Sequence, residues 1–145
     1  MNRLFFDTSA LVKRYYEEPG TETVDTLIEG ESTVVISSLA VVETVSAFRR
    51  KYNRDGISEL RMNRLLSAFF EEALAEFVIL PMDESAFQFS FSLVLEHNLR
   101  TLDSRQLSAA LTVDTEDKPV TFVSADTELV ATADANGLTT VNPDE

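Results

Sequence analysis

The chain has 145 residues, 12 basic and 25 acidic, with one His and no Cys, for a formal net charge of −13 and a pI near 4.4. This length suits one domain over residues 1–145, and 44% hydrophobic with 26% charged residues is the balance of a globular protein. The missing Cys excludes disulfides, thiolate zinc sites and a thiol nucleophile, and a single His excludes a multi-His metal site, so oxygen must carry any chemistry.

Leu4-Phe5-Phe6 reads as a short buried strand ending at Asp7. Thr8 or Ser9 then caps a helix from Ala10 to Tyr16, broken by Pro19-Gly20. A second short helix runs from Thr23 to Glu29 and stops at Gly30; Thr33–Ile36 is a β-branched strand. Ser37 or Ser38 caps a helix from Leu39 to about Tyr52, and Asn53–Gly56 is a turn. Ile57–Phe77 is the clearest helix, with Leu60, Leu65, Leu66, Phe69, Phe70, Ala73, Leu74 and Phe77 at helical spacing.

Val78–Leu80 is a third strand closed by Pro81. Asp83 caps a helix from Glu84 to His97, ended by Asn98, and Thr101 caps another from Leu102 to Val113. After a polar loop, Val120–Val123 is a fourth strand. Asp126 starts a helix ending at Asn136-Gly137, and Leu138–Val141 is a fifth strand.

Strands alternate with helices, which predicts an α/β fold: a three-layer α/β/α sandwich on a mostly parallel central sheet. The longest uncharged runs, Ser32–Val42 and Ser85–Leu95, are 11 residues each. A membrane helix needs about 20, and the apolar stretch after Arg3 is too short for a signal peptide, so a cytoplasmic protein is expected.

In such a sheet the site lies beyond the C-terminal strand edge. Four acids stand out there or nearby. Asp7 and Asp126 follow strands; Asp103 sits in the first turn of a helix; Glu43 lies on a helix stripe of Leu39, Ala40, Ser46 and Ala47. Each has a plain alternative: a strand-end cap for Asp7, ordinary helix N-terminal acids for Asp103 and Asp126, a buried ion pair with Arg for Glu43. Together at one sheet edge they would repel unless a cation neutralised them. All-oxygen ligation suits Mg²⁺ or Mn²⁺, and a carboxylate cluster holding such ions is apparatus for phosphodiester hydrolysis by a metal-activated water.

These residues fall into four motifs. Asp7-Thr8-Ser9-Ala10-Leu11-Val12-Lys13, Ser37–Glu43, Leu99–Asp103 and Phe122–Asp126 followed by Leu129 and Ala131 resemble, in order, those of PIN-domain ribonucleases, especially the VapC-type toxins. The resemblance implies a metal-dependent endoribonuclease with metal and catalytic roles for Asp7, Glu43, Asp103 and Asp126, the first and third as primary ligands. It implies supporting hydroxyls from Thr8, Ser9 and Ser124 and an auxiliary acid in Glu128. It further implies a homodimer paired with a small antitoxin. One departure is the stretch Ser104-Arg105-Gln106-Leu107, which lacks the His that relatives often carry there.

A −13 chain is at first sight a poor partner for RNA. Residues 49–64, however, hold Arg49, Arg50, Lys51, Arg54, Arg61 and Arg64 against two acids, a net +4, leaving −17 on the rest. This window follows the Glu43 helix and, with Lys13 and Arg14, is read as an RNA-binding side; a solvated helix pair or an antitoxin surface are its alternatives. Tyr15 or Tyr16 serves either as a base-stacking platform or as core. Two other functions remain open: a PIN-type nuclease in RNA processing without an antitoxin, and a catalytically inactive metal- or RNA-binding module.

Overall fold

The structure, a computed structural model, describes residues 2–145. Among them are five strands in one all-parallel sheet and seven α-helices. The strands are β1 (Arg3–Phe6), β2 (Thr33–Ser37), β3 (Val78–Leu80), β4 (Val120–Val123) and β5 (Thr139–Val141). They lie in the order β3-β2-β1-β4-β5. The chain builds outward from β1 in one direction, then crosses to its other side for β4 and β5. The gap between the ends of β1 and β4 is therefore the switch point, where open α/β sheets place ligands.

The helices are α1 (Thr8–Leu11), α2 (Thr21–Glu29), α3 (Ser38–Arg54), α4 (Glu59–Glu76), α5 (Ser90–His97), α6 (Thr101–Val113) and α7 (Thr127–Ala135). Successive strand residues face opposite sides of the sheet, and two cores result. Leu4, Phe6, Val34 and Ile36 pack with Val24 of α2, Phe48 of α3 and Met62, Leu65 and Phe69 of α4. Phe5, Val35 and Phe122 pack with Leu93 of α5, Leu107 of α6 and Leu129 of α7. The three-layer α/β/α sandwich is thus as expected. Burial on both faces is why β1 and β2 carry continuous apolar runs, Leu4–Phe6 and Val34–Ile36. The edge strands β3 and β5 are only three residues long, a guard against edge-to-edge pairing.

Several elements differ from expectation. The helix begun at Thr8 does not reach Tyr16: α1 tightens into a 3-10 turn over Val12–Arg14. The Lys13 carbonyl is taken by the Thr21 hydroxyl at 2.8 Å, so it is lost to a continuing helix. Asp7, rather than Thr8 or Ser9, stands at the N-cap, and its carboxylate is bonded elsewhere. The helix expected over Glu84–His97 is broken into a 3-10 turn at Glu84–Phe87 and α5. The break falls where the Phe89 backbone N–H donates to Ser108 Oγ of α6 at 3.0 Å instead of to its own helix.

Caps at Ser37, Asp83 and Asp126 form as expected, each accepting from backbone N–H groups. Asn98 ends α5 with a left-handed φ of 55°. Thr101 opens α6 as its first residue, with Arg100 at the cap position. Among the described residues no helix is long and apolar enough to cross a membrane.

Candidate functional site

The backbone brings the singled-out acids to one place. Asp7 follows β1, whose Phe6 pairs with Val123 of β4, and the Asp7 N–H continues that ladder to the Val123 carbonyl at 3.0 Å. Ser124 and Asp126 follow β4; α3 starts at the end of β2 and carries Glu43 less than two turns in; α6 carries Asp103 in its first turn. A cleft of about 320 Å³ is lined by Asp7, Thr8, Ser9, Glu43, Asp103 and Asp126, together with Ser46, Ala47 and Arg50.

Asp7 is buried, and burial pushes its carboxyl up from 3.8 to about 6. Hydrogen bonds from Ser9 and Ser124 oppose the rise, while the charges of Asp103 and Glu43 add to it. Oδ2 accepts from Ser9 Oγ at 2.7 Å and from Ser124 Oγ at 2.8 Å. The two hydroxyls are themselves pinned: Ser9 Oγ accepts from the Ala125 N–H at 3.0 Å, and Ser124 Oγ from the Asp126 N–H at 3.1 Å. Asp103 is half-buried and also shifted upward, first by burial and then by the Asp126 charge, with Glu43 and Glu128 adding to it against Arg100.

Glu43 accepts on Oε1 from Thr8 Oγ1 at 3.0 Å and from Gln106 Nε2 at 2.9 Å. Asp126 accepts on Oδ1 from the N–H groups of Glu128 and Leu129 at 3.0 and 3.2 Å, so it is both a helix cap and a wall of the cleft. Glu128 is exposed on the first turn of α7 and reaches the cleft through its charge on Asp103.

Among the described residues Asp7, Glu43 and Asp126 form no ion pair; hydroxyls, an amide and backbone N–H groups hold them. The buried Glu43–Arg pair allowed by the sequence does not form. Asp103 alone meets a cation, the exposed Arg100, at 3.7 Å. Carboxylates gathered without a full set of countercharges are a donor set that suits a hard divalent cation. Among the described residues no three acidic or His side chains close into a ready cage.

The basic residues divide. Arg50 lines the acidic cleft and both hollows that adjoin it. One hollow, about 400 Å³, continues past Ser9 and Ala47 to Lys51 and Arg54; the other reaches Arg100 and Thr101. Arg49 lies over the Tyr52 ring at 5.0 Å and does not line the cleft.

Lys13 and Arg14, expected on the RNA-binding side, are spent on structure. Lys13 is buried, donating to the Pro19 carbonyl at 2.7 Å and pairing with Glu18 and Asp144 at 3.3 and 3.1 Å. Arg14 takes Glu72 by a two-pronged bond at 3.0 and 2.8 Å, and also Asp25 and Glu29. Tyr15 adds a 2.8 Å bond to Glu72 and sits edge-on to Phe48 and Phe69, so its role is core. Tyr16 lies under Lys51 at 3.8 Å and Arg61 at 4.9 Å.

Gln106 is the residue that reading the sequence passed over. It is fully buried on α6 and bonds Ser37, Thr8 and Glu43. Its one signal was a polar side chain immediately before the mostly apolar stretch Leu107–Leu111. A larger hollow of about 640 Å³ between α5 and α6 is lined by Phe87, Phe91, Val94 and Leu95 and includes none of the four acids.

Comparison with known proteins gives the family and the fold. The sequence model of the PIN domain matches residues 4–135. No curated protein matches the sequence. Among solved structures, FitAcB from Neisseria gonorrhoeae superposes with a TM-score of 0.70 at 19% identity, covering 97% of each chain. DNA-bound VapBC from Salmonella typhimurium gives 0.68 at 14%, covering 99% of each. VapC20 of Mycobacterium tuberculosis, a sarcin-ricin loop cleaving toxin, gives 0.68 at 14%, covering 97% of this chain and 99% of its own. At these identities the likeness is one of fold.

Proposed function

Because the chain belongs to the PIN-domain family, we propose that it is a divalent-metal-dependent endoribonuclease and the toxin of a toxin–antitoxin pair. The observation that carries the reading is the cleft at the β1–β4 switch point, where four acids converge without a cationic partner for Asp7, Glu43 or Asp126 among the described residues. The likeness in fold to FitAcB, VapBC and VapC20 supports the toxin part. A second copy of the chain and a small antitoxin are the protein partners this implies, in the cytoplasm.

Asp7 and Asp103 would hold Mg²⁺ or Mn²⁺, with Glu43 and Asp126 on the walls of the same cleft. When bound, the ion supplies Lewis acidity toward a phosphodiester and its attacking water. Ser9 and Ser124 fix the Asp7 carboxylate, and Thr8 fixes Glu43. Arg50 lines all three hollows and would take an RNA phosphate on entry, with Lys51, Arg54 and Arg100 along the same rim. The −13 charge thereby limits where RNA approaches without excluding it.

Purified protein should cleave RNA with Mg²⁺ or Mn²⁺, and EDTA or Asp7→Asn should abolish the cleavage. Cleavage in EDTA, or by Asp7→Asn, would defeat the proposal. A small DNA-binding protein encoded immediately upstream, and its inhibition of cleavage, separate the toxin reading from a processing nuclease.

A further inference from the structure

Gln106 is 1% exposed, and both ends of its amide are engaged. The orientation of that amide is determined by its partners. A carboxylate only accepts, so the end facing Glu43 must be the NH₂ group. The two N–H bonds then go to Glu43 Oε1 at 2.9 Å and Thr8 Oγ1 at 3.2 Å. Thr8, accepting from Gln106, spends its own hydrogen on Glu43 Oε1 at 3.0 Å. At the other end Gln106 Oε1 accepts from Ser37 Oγ at 2.7 Å. Ser37 in turn accepts the Ala40 N–H at 3.1 Å, as the cap of α3.

Every hydrogen in this chain of bonds therefore has one direction, running from the first turn of α3 through α6 back to Glu43. Among the described residues, all hydrogen bonds to the Glu43 carboxylate end on Oε1. Buried hydrogen bonds of this kind fix a side-chain rotamer, because leaving either partner unmatched is costly.

We propose that Gln106 is a positioning residue: it holds Glu43 by Oε1 and so leaves Oε2 to the acidic cleft and a hard divalent cation there. The inference rests on the nuclease reading and deepens it. A neutral amide does this without a countercharge; Lys or Arg at this position would cancel the carboxylate charge to which a cation responds.

The decisive variant is Gln106→Met, close in shape and without donors. Mn²⁺ titration calorimetry should show affinity roughly 10- to 100-fold weaker than the unsubstituted protein, the usual effect of removing a group that orients a ligand. In cleavage assays kcat should fall while KM for RNA holds. In a Glu43→Ala background the same substitution should cost no further affinity, since the residue through which it acts is gone. Ser37→Ala, which removes the anchor of the amide together with the side-chain cap of α3, is the second variant should Gln106→Met fold poorly, and it should weaken Mn²⁺ in the same direction.

Unchanged Mn²⁺ affinity in both variants would overturn the proposal, as would an equal loss with and without Glu43. Should the unsubstituted protein bind no Mn²⁺, the nuclease reading fails by itself. A crystal structure of Gln106→Met then decides the positioning role: Glu43 turned out of the cleft supports it, and Glu43 unmoved overturns it.

Discussion

The hydroxyl of Ser124, just past β4, donates to Oδ2 of Asp7, just past β1, over 2.8 Å. The bond favours the charged carboxylate and works against the burial that lifts it. Ser124→Ala should therefore raise the Asp7 pKa above its value of about 6. Carboxyl ¹³C titration of the metal-free protein reads this directly, and an unmoved midpoint would refute it.

Asp7 also makes the metal-free fold pH-dependent. Its folded pKa is raised, so the folded state binds the proton more tightly than the unfolded chain. The penalty is absent below about pH 3.8, grows as pH rises, and is complete above about pH 6. Asp7→Asn should accordingly stabilise the metal-free protein at pH 7, by about 3 kcal/mol at most, and hardly at all below pH 4. Urea unfolding at the two pH values is the test, and Mg²⁺ should raise the stability of the unsubstituted protein only.

Arg50 and Arg49 are neighbours in sequence with different surroundings. Arg50→Ala should weaken binding of a labelled single-stranded RNA to Asp7→Asn protein and flatten the salt dependence by about one phosphate contact. Arg49→Ala, removing a residue stacked on Tyr52, should do less. Fluorescence anisotropy across a salt series separates them; equal effects would remove Arg50 from its special place.

Arg14 joins the turn after α1 to α2 and α4 through Asp25, Glu29 and Glu72. Burial pushes Glu72 up, but bonds from Arg14 and Tyr15 outweigh it and hold the carboxyl below its ordinary value. Arg14→Ala should lower stability by roughly 1–3 kcal/mol and leave RNA affinity unchanged. Loss of RNA binding without loss of stability would restore the role the sequence first suggested for it.

The apolar stripe of α4 is narrower than its spacing implied. Leu65, Phe69 and Ala73 are buried, whereas Leu60 and Leu74 are 60% and 75% exposed. Phe69→Ala should cost about 3–5 kcal/mol, and Leu74→Ala less than about 1 kcal/mol, both read by urea unfolding.

What was legible in the sequence was what short-range chemistry writes there. Three-residue apolar runs ending in Asp7 and Ser37 marked β1 and β2, and Asp7 and Asp126, just beyond β1 and β4, fell at one edge because the two strands are parallel. The break before α5 was invisible because Ser108, 19 residues later, takes the Phe89 N–H, with no Gly or Pro to announce it. The fates of Lys13 and Arg14 were hidden for the same reason: Asp144 and Glu72 are their partners only in three dimensions. Gln106 carries no charge and joins no motif, so only the folded contacts show what it does.

The pairing of β1 with β4 also sets a clock on synthesis. Asp7 is translated 117 residues before Ser124, an interval of roughly 6–23 s at about 5–20 residues per second. Until β4 has left the ribosome, the growing chain carries the first half of its cleft without Ser124, Asp126 or the strand that aligns them. Throughout that interval the cleft proposed to cut RNA is incomplete, because β4 follows β1, β2 and β3 in the chain.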